Sequence, residues 1–475
     1  MSSASTLPGR PGNLTTEEEA KLKELWLVTL KVFGVSSPAD SESTSPPPAT
    51  PTAPAALTVE EDPDSAISLS PDSRKKSRKS FGRFLGRKSR PEKETEKKES
   101  LVQEIAISVD ASDDKYGHTA DFRAALANQT PAELREAFWG MVKCDNPDGL
   151  LLRFLRARKW DVEKALVMMV ATMNWRSKEL NVQGIIEKGE GGYAADADQG
   201  FIKQLRMGKS FLHGCDKEGR PICLVRVRLH KQADQSEEAL EWYTVYIMET
   251  ARLMLRDPVD TAAVVFDMTG FSMANMDYAP VKYLIKCFEA HYPESLGICL
   301  VHKAPWIFQS IWSIIRGWLD PVVASKIHFT KSIEDMEVFI PRSNIIKELG
   351  GDDDWEYSYL EPIPGEDDPI TNGTSIRAQL QAKRDEQVIE YEALTRTWIA
   401  AGADDSEKVR NERFGVAALL RDGYWEMDPY MRARTAYDRT GVLGVKGKLD
   451  FYSYKTNAPI PVAKKVVETS ADDID

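Results

Sequence analysis

The sequence predicts an α/β domain built on a largely parallel sheet and preceded by a small helical subdomain. Two observations lead there. Short apolar runs, "PICLVRV" (221–227), "AAVVFDM" (262–268) and "GICLVHK" (297–303), are separated by amphipathic segments at about 237–256 and 279–291. Buried strands alternating with helices are the pattern of a sheet covered on both faces. Upstream, "TPAELREAFWGMV" and "DGLLLRFLRARKWDVEKALVMMVATMNWRSKEL" carry helix-start chemistry before each apolar stretch.

Element by element, the chain divides into five segments. Residues 1–35 hold "LTTEEEAKLKELWLVTLKVF", a helix with Thr15 or Thr16 as cap and Glu17 to Glu19 in its first turn. Residues 36–118 open on "SSPADSESTSPPPATPTAPAA", too poor in apolar side chains to fold, and read as a disordered insertion. Residues 119–185 form the helical subdomain. In it Thr130 and Glu133 make a capping box, Pro131 takes the first helical position and Asp161 caps the last helix. Residues 186–361 carry the sheet. Residues 362–475 form a helical extension, with one helix stopped by Gly402, a second stretch from about 406 to 439 and an acidic, frayed tail.

Composition narrows the function. The chain has 475 residues, 42% of them hydrophobic, enough for a sizeable core. No apolar run reaches the roughly eighteen residues of a membrane span, and the N-terminus lacks a signal-peptide core. The five cysteines have no metal-ligand spacing and suit a reducing, cytoplasmic compartment. A net charge of −12 argues against nucleic acid as a partner.

The charge is unevenly spread. "RKKSRKSFGRFLGRKSR" (74–90) holds nine basic residues and no acidic one. Arg74, Lys75, Lys76, Arg78 and Lys79 lead into Phe81 and Phe84. Three readings stay open: a solvated arm, a nuclear-localisation signal, or an arm for anionic membrane surfaces, where each basic residue contributes about 1 kcal/mol.

Catalytic motifs are lacking. Asp267 and His302 each end an apolar strand, where open α/β sheets place their sites. Yet no nucleophile elbow, P-loop or dinucleotide fingerprint follows a strand, and Asp267 better suits bonds to local turn amides. The expectation is a protein that is not an enzyme, has no cofactor and holds no metal.

One stretch asks for a ligand. "PWIFQSIWSIIRGWLDP" (305–321) places Ile307, Phe308, Ile311, Trp312, Ile314, Ile315, Trp318 and Leu319 on an apolar face about 160° wide, at about 100° per residue. A deeply buried core helix and a helix that covers an apolar ligand both fit.

Four segments settle on one family. "LLRFLRARKWDVEKAL" (151–166), "DKEGRPI" (216–222), "HYPESLG" (291–297) and "LDPVVASKI" (319–327) resemble the CRAL-TRIO lipid-binding proteins, in their fungal phosphatidylinositol-transfer branch. "LPGRPGNL" (7–14) is similar to the same branch. The resemblance implies a hydrophobic lipid cavity floored by the sheet and closed by a gate helix at about 306–319. It implies a phosphatidylinositol ligand, held at its headgroup by Arg158 with Lys159 beside it, by Glu294 and by Lys326. The branch has a threonine where this chain has Val323. Where the branch builds a phosphatidylcholine site, this chain has Leu212, Cys223, Ala262 and Val264, so a second, more hydrophobic lipid is expected there. Function follows: transfer of phosphatidylinositol between membranes and its presentation to lipid kinases, by a cytoplasmic protein that associates reversibly with endoplasmic reticulum, Golgi or endosomal membranes. The alternative is a lipid-sensing regulatory scaffold that transfers little.

Overall fold

A computed structural model describes residues 7–35 and 114–455, and of residues 403–405 the backbone only. These residues belong to one compact unit. The basic arm at 74–90 lies outside them.

Helix α1 (Thr16–Val32) starts at the Thr15–Glu18 capping box. The helical subdomain follows as α2 (His118–Asn128), α3 (Pro131–Met141), α4 (Pro147–Ala157) and α5 (Val162–Asn174). Thr130 and Glu133 cap α3 reciprocally, and the Asp161 carboxylate accepts from Lys164 N at the start of α5. The residues just before α2 are held to it. Asp114 accepts from the backbone N–H groups of His118 and Thr119 at 2.8 and 2.7 Å, so residues 114–118 belong to the fold and not to the insertion.

Next come α6 (Val182–Ala194) and α7 (Gly200–Arg206), then the sheet. Its strands are β1 (Ser210–Cys215), β2 (Pro221–Arg226), β3 (Ala262–Asp267), β4 (Leu296–His302) and β5 (Ile327–Thr330), in the spatial order β1-β2-β3-β4-β5. β1 is antiparallel to β2, and the other pairs are parallel. The parallel crossovers carry α8 (Glu237–Leu253), α9 (Tyr278–Lys286), α10 (Phe308–Arg316) and the short α11 (Pro321–Ser325).

Alternation along the strands splits the core in two. Ile222, Leu224, Ala263, Val265, Ile298 and Leu300 pack one face against Met336, Ile340 and Leu349. The other face presents Leu212, Cys223, Val264, Cys299 and Ile327, which pair in one row across all five strands. That row lies beneath α8, α9 and α10.

The long C-terminal helices, Thr374–Ala400 and Ala403–Met431, pack on the helical subdomain. Arg413 makes two bonds to Asp148, at 3.0 and 2.6 Å, and Asp148 also accepts from Trp26 Nε1 and the Tyr391 hydroxyl. All four residues are buried. Beyond them the chain crosses to β1, where the Tyr437 hydroxyl accepts from Leu212 N at 2.7 Å. Buried Glu190 clamps this crossing by accepting from Ala436 N, the Tyr246 and Tyr359 hydroxyls and Arg439.

Candidate functional site: an apolar cavity with two polar ends

Between the sheet and α8, α9 and α10 lies a cavity with about 1960 Å³ of empty space, its open mouth included. Cys223, Val264, Cys299 and Ile327 of the cross-strand row floor it, with Ala262 beside them. Tyr243, Ile247 and Met248 of α8 and Val281 and Ile285 of α9 form its walls. Burial pushes the Cys223 and Cys299 thiols up to about 12, so both behave as small neutral hydrophobes.

The cover is α10, and it is shorter than its periodicity suggested. Pro305 to Ile307 form a turn, closed by Phe308 N donating to Pro305 O at 2.9 Å. The helix ends at Arg316, before Gly317. Phe308, Trp312 and Ile315 line the cavity, followed by Leu319 and Val323. The ring of Trp312 meets Phe329 edge to face at 5.2 Å. Three expected lining residues lie elsewhere. Ile311 is buried in the surrounding core. Trp318, past the helix end, packs on Tyr278 at 5.3 Å. Leu212 belongs to the cross-strand row, but its end of the row packs with Tyr437, Val442 and Phe451 of the C-terminal segment. The wide apolar face therefore divides between cavity and core. Trp306 and Ile314 point away from both, 86% and 48% exposed.

A tether holds the far end of the cover. Glu289 accepts from Lys115 Nζ, the Tyr116 hydroxyl and Asp320 N at 2.7, 2.6 and 2.7 Å, and Lys115 also donates to Trp318 O. A charge on the covering face should disturb this arrangement. Trp312→Asp is expected to cost about 1–3 kcal/mol, the penalty for burying a polar group without a partner. Thermal denaturation checks it, and an unchanged melting temperature would show that the Trp312 site tolerates charge.

At the amino-terminal ends of the parallel strands Ala262, Ser295, Leu296, Val323 and Ile327 line the cavity, and the expected headgroup residues Arg158, Lys159, Glu294 and Lys326 lie just outside that lining. Glu294 precedes β4 and Lys326 precedes β5, and strand pairing brings Lys326 Nζ to 3.7 Å from Glu294 Oε2. Glu294 adopts φ 53°, a left-handed conformation uncommon for a residue with a side chain. Lys159 (φ 53°) and Trp160 (φ 67°) share it, at the turn that leaves α4. Arg158 closes α4; it lies 3.4 Å from His118 Nδ1 and donates to Ala157 O. Burial, with the Arg158 charge second, pushes His118 down to about 4, so this neighbour is neutral at pH 7. Lys159 is exposed.

Two arginines that the sequence reading passed over approach Glu294 from α4. Arg153 donates to Glu294 O at 2.7 Å and to Asp260 O. Arg156 donates to Asp260 Oδ2 at 3.1 Å and to Gly9 O at 2.6 Å, and Arg10 donates to the same Asp260 at 3.1 Å. Three guanidinium groups around one carboxylate leave this end of the sheet electropositive. Gly9 is at φ 71°, and a Cβ there would press on Arg156 at 3.3 Å, so the glycine permits the clamp.

The carboxyl-terminal ends form the second polar end, where Lys209, Arg226, His230, Asn275 and Asp277 reach the cavity. The residues suspected of chemistry have structural partners there. Asp267 accepts from Thr269 N at 3.0 Å and pairs with Arg228 at 2.7 Å, and His302 Nδ1 lies 3.0 Å from the Thr330 hydroxyl. Among the described residues no cluster of His, Cys, Asp or Glu could hold a metal ion, and no helix is long and apolar enough to cross a membrane.

The family model for the CRAL/TRIO domain matches residues 205–351, and that for the CRAL/TRIO N-terminal domain matches 118–171. Phosphatidylinositol transfer protein CSR1 of Eremothecium gossypii is 39% identical over 92% of this chain and 99% of its own length. The chain belongs to the CRAL-TRIO family. A CRAL-TRIO domain-containing protein of Schizosaccharomyces pombe is 45% identical over 92% of each chain. The Sec14 cytosolic factor of the same yeast is 29% identical, over 43% of this chain and 74% of that protein. The CRAL-TRIO matches span the helical subdomain and the sheet. The relatives at 45% and 39% identity extend over most of the chain, C-terminal helices included.

Proposed function

We propose that this CRAL-TRIO protein binds phosphatidylinositol and transfers it between membranes. The apolar cavity under α10 carries the reading; its lining residues Ser295 and Ile327 are the chain neighbours of Glu294 and Lys326. Two acyl chains hold roughly thirty methylenes, each favouring burial by about 0.8 kcal/mol, and the space under α10 offers them apolar walls. The headgroup lies at the amino-terminal ends of β4 and β5. There Lys326 pairs with its phosphate and Glu294 accepts from inositol hydroxyls. Arg158 and Lys159, on the neighbouring turn, complete the set. Val323 supplies contact but no hydroxyl.

Presentation of the lipid to kinases, and reversible docking of the basic arm on anionic membrane surfaces of the endoplasmic reticulum, Golgi or endosomes, are the finer parts of the proposal. The name of the relative from Eremothecium gossypii supports transfer over the alternative of a scaffold that senses lipid.

Phosphatidylcholine is the discriminating control. Its zwitterionic headgroup would meet Cys223, Ala262 and Val264 on the cavity floor, and burying ions without partners costs several kcal/mol each. Vesicle-to-vesicle assays are expected to show transfer of labelled phosphatidylinositol and little or none of labelled phosphatidylcholine. Comparable rates would mean that other residues build a choline site, and no transfer of either would favour the scaffold.

A further inference from the structure

The carboxyl-terminal polar end has a feature that a phosphatidylinositol site at the opposite end leaves unused. Lys209 is only 4% exposed and lines the cavity. Its backbone is fixed at the end of the sheet by Arg226 N donating to Lys209 O at 2.8 Å. Its ammonium has two neighbours at 3.1 Å, His230 Nδ1 and Gln235 Oε1. No carboxylate among the described residues comes within ion-pair distance of it. An ammonium has three N–H donors, so one is left over beside the apolar cavity.

The charges around it are already committed. A histidine that accepts at Nδ1 carries its proton on Nε2, and His230 Nε2 lies 3.3 Å from Asp277 Oδ2. Asp277 also accepts from Ala279 N at 3.0 Å; it lines the same end of the cavity, and its carboxylate is separated from the Lys209 ammonium by the imidazole. Asp234 pairs with Lys203 at 2.7 Å. Arg226 is occupied by Glu348, and the Asn275 amide donates to Arg228 O and His230 O at 3.0 Å each. Lys209 lines the cavity at one end of an Asp277–His230–Lys209 chain, with no carboxylate in direct contact with its ammonium.

We propose that this end of the cavity is a second ligand subsite, for the carboxylate of a long-chain fatty acid whose tail lies along the apolar floor. A buried ammonium without a contacting counter-ion is costly, and a ligand carboxylate supplies both the charge and the acceptor for the third N–H. Burial pushes the Lys209 pKa down to about 8, which keeps the group charged at pH 7. The inference rests on the lipid-cavity reading above and adds the class of the second ligand.

The test compares a long-chain fatty acid with the alcohol and the methyl ester of the same chain length, each titrated into lipid-stripped full-length protein. The acid is expected to bind at least about tenfold more tightly than either neutral analogue. Lys209→Met should bring the acid down to the level of the analogues, and Lys209→Arg should restore it. Melting curves for both variants show whether the fold is intact, and the wild-type comparison decides even if a variant fails to fold. If the analogues bind as tightly as the acid, the carboxylate subsite is overturned while the cavity reading stands. If none of the three binds, the cavity reading falls and the subsite with it.

Discussion

Glu249→Ala is expected to destabilise the protein by about 3–5 kcal/mol, the cost of removing one partner from a buried ion pair. Glu249 sits inside α8, where its carboxylate takes Lys143 and Arg176 at 2.7 Å each, Arg252 at 3.2 Å and the Tyr292 hydroxyl at 2.8 Å. Lys143 follows α3 and Arg176 follows α5, so this one acid ties the helical subdomain to the lipid cavity. Arg252 keeps Asp145 at 2.7 Å, but Lys143 and Arg176 would be left as buried cations. Burial raises the Glu249 pKa, yet Arg176, Lys143 and Arg252 together hold it well below its ordinary 4.5. A depressed carboxylate stabilises the fold at pH values above its unfolded pKa. That contribution is lost as pH falls below about 4.5 toward the folded value. Urea denaturation at pH 7 checks the magnitude, and a loss below about 1 kcal/mol would contradict it. Repeating the series at acid pH should show the wild type converging on the variant.

Lys326→Ala is expected to lower phosphatidylinositol transfer by tenfold or more and to leave the melting temperature almost unchanged. Lys326 and Glu294 are each 22% exposed at the side chain, and their 3.7 Å pair is open to solvent on one side. Such a pair contributes little to stability. Toward a bound phosphate the same lysine makes a charge-assisted hydrogen bond, worth about 1.5–3 kcal/mol, or roughly ten- to a hundredfold in affinity. Glu294→Ala should behave similarly through the inositol hydroxyls. Transfer assays beside melting curves separate the two effects. Wild-type transfer in both variants would remove the headgroup from this end of the sheet.

The sequence shows the core of this fold more clearly than its edges. β2, β3 and β4 are buried on both faces and read as continuous apolar runs. β1 and β5 border the sheet. β5 is four residues long, with His328 and Phe329 exposed, so no run marks it. The cover helix was legible as an apolar face, but its ends were not. Pro305 permits a helix start without enforcing one, and past Arg316 the chain tightens into i→i+3 turns that run to Leu319. Around the headgroup end, Glu294 and Lys326 lie far apart in sequence and meet because β4 and β5 are parallel neighbours. The motif reading singled out Arg158 in "RFLRARK", although Arg153 and Arg156, three apart on one face of α4, point toward Glu294 and Asp260. Lys209 carried no signal at all. A lysine before a short strand looks like any surface lysine until the chain from 226 to 277 folds over it.

Mass spectrometry of lipids extracted from wild-type and Lys326→Ala protein, both purified from the native host, tests the central claim most directly. Wild-type protein is expected to carry phosphatidylinositol and to exclude phosphatidylcholine, and the variant is expected to lose the phosphatidylinositol while keeping its fold. Wild-type protein that carries phosphatidylcholine instead, or a variant that retains phosphatidylinositol at wild-type occupancy, would contradict the account.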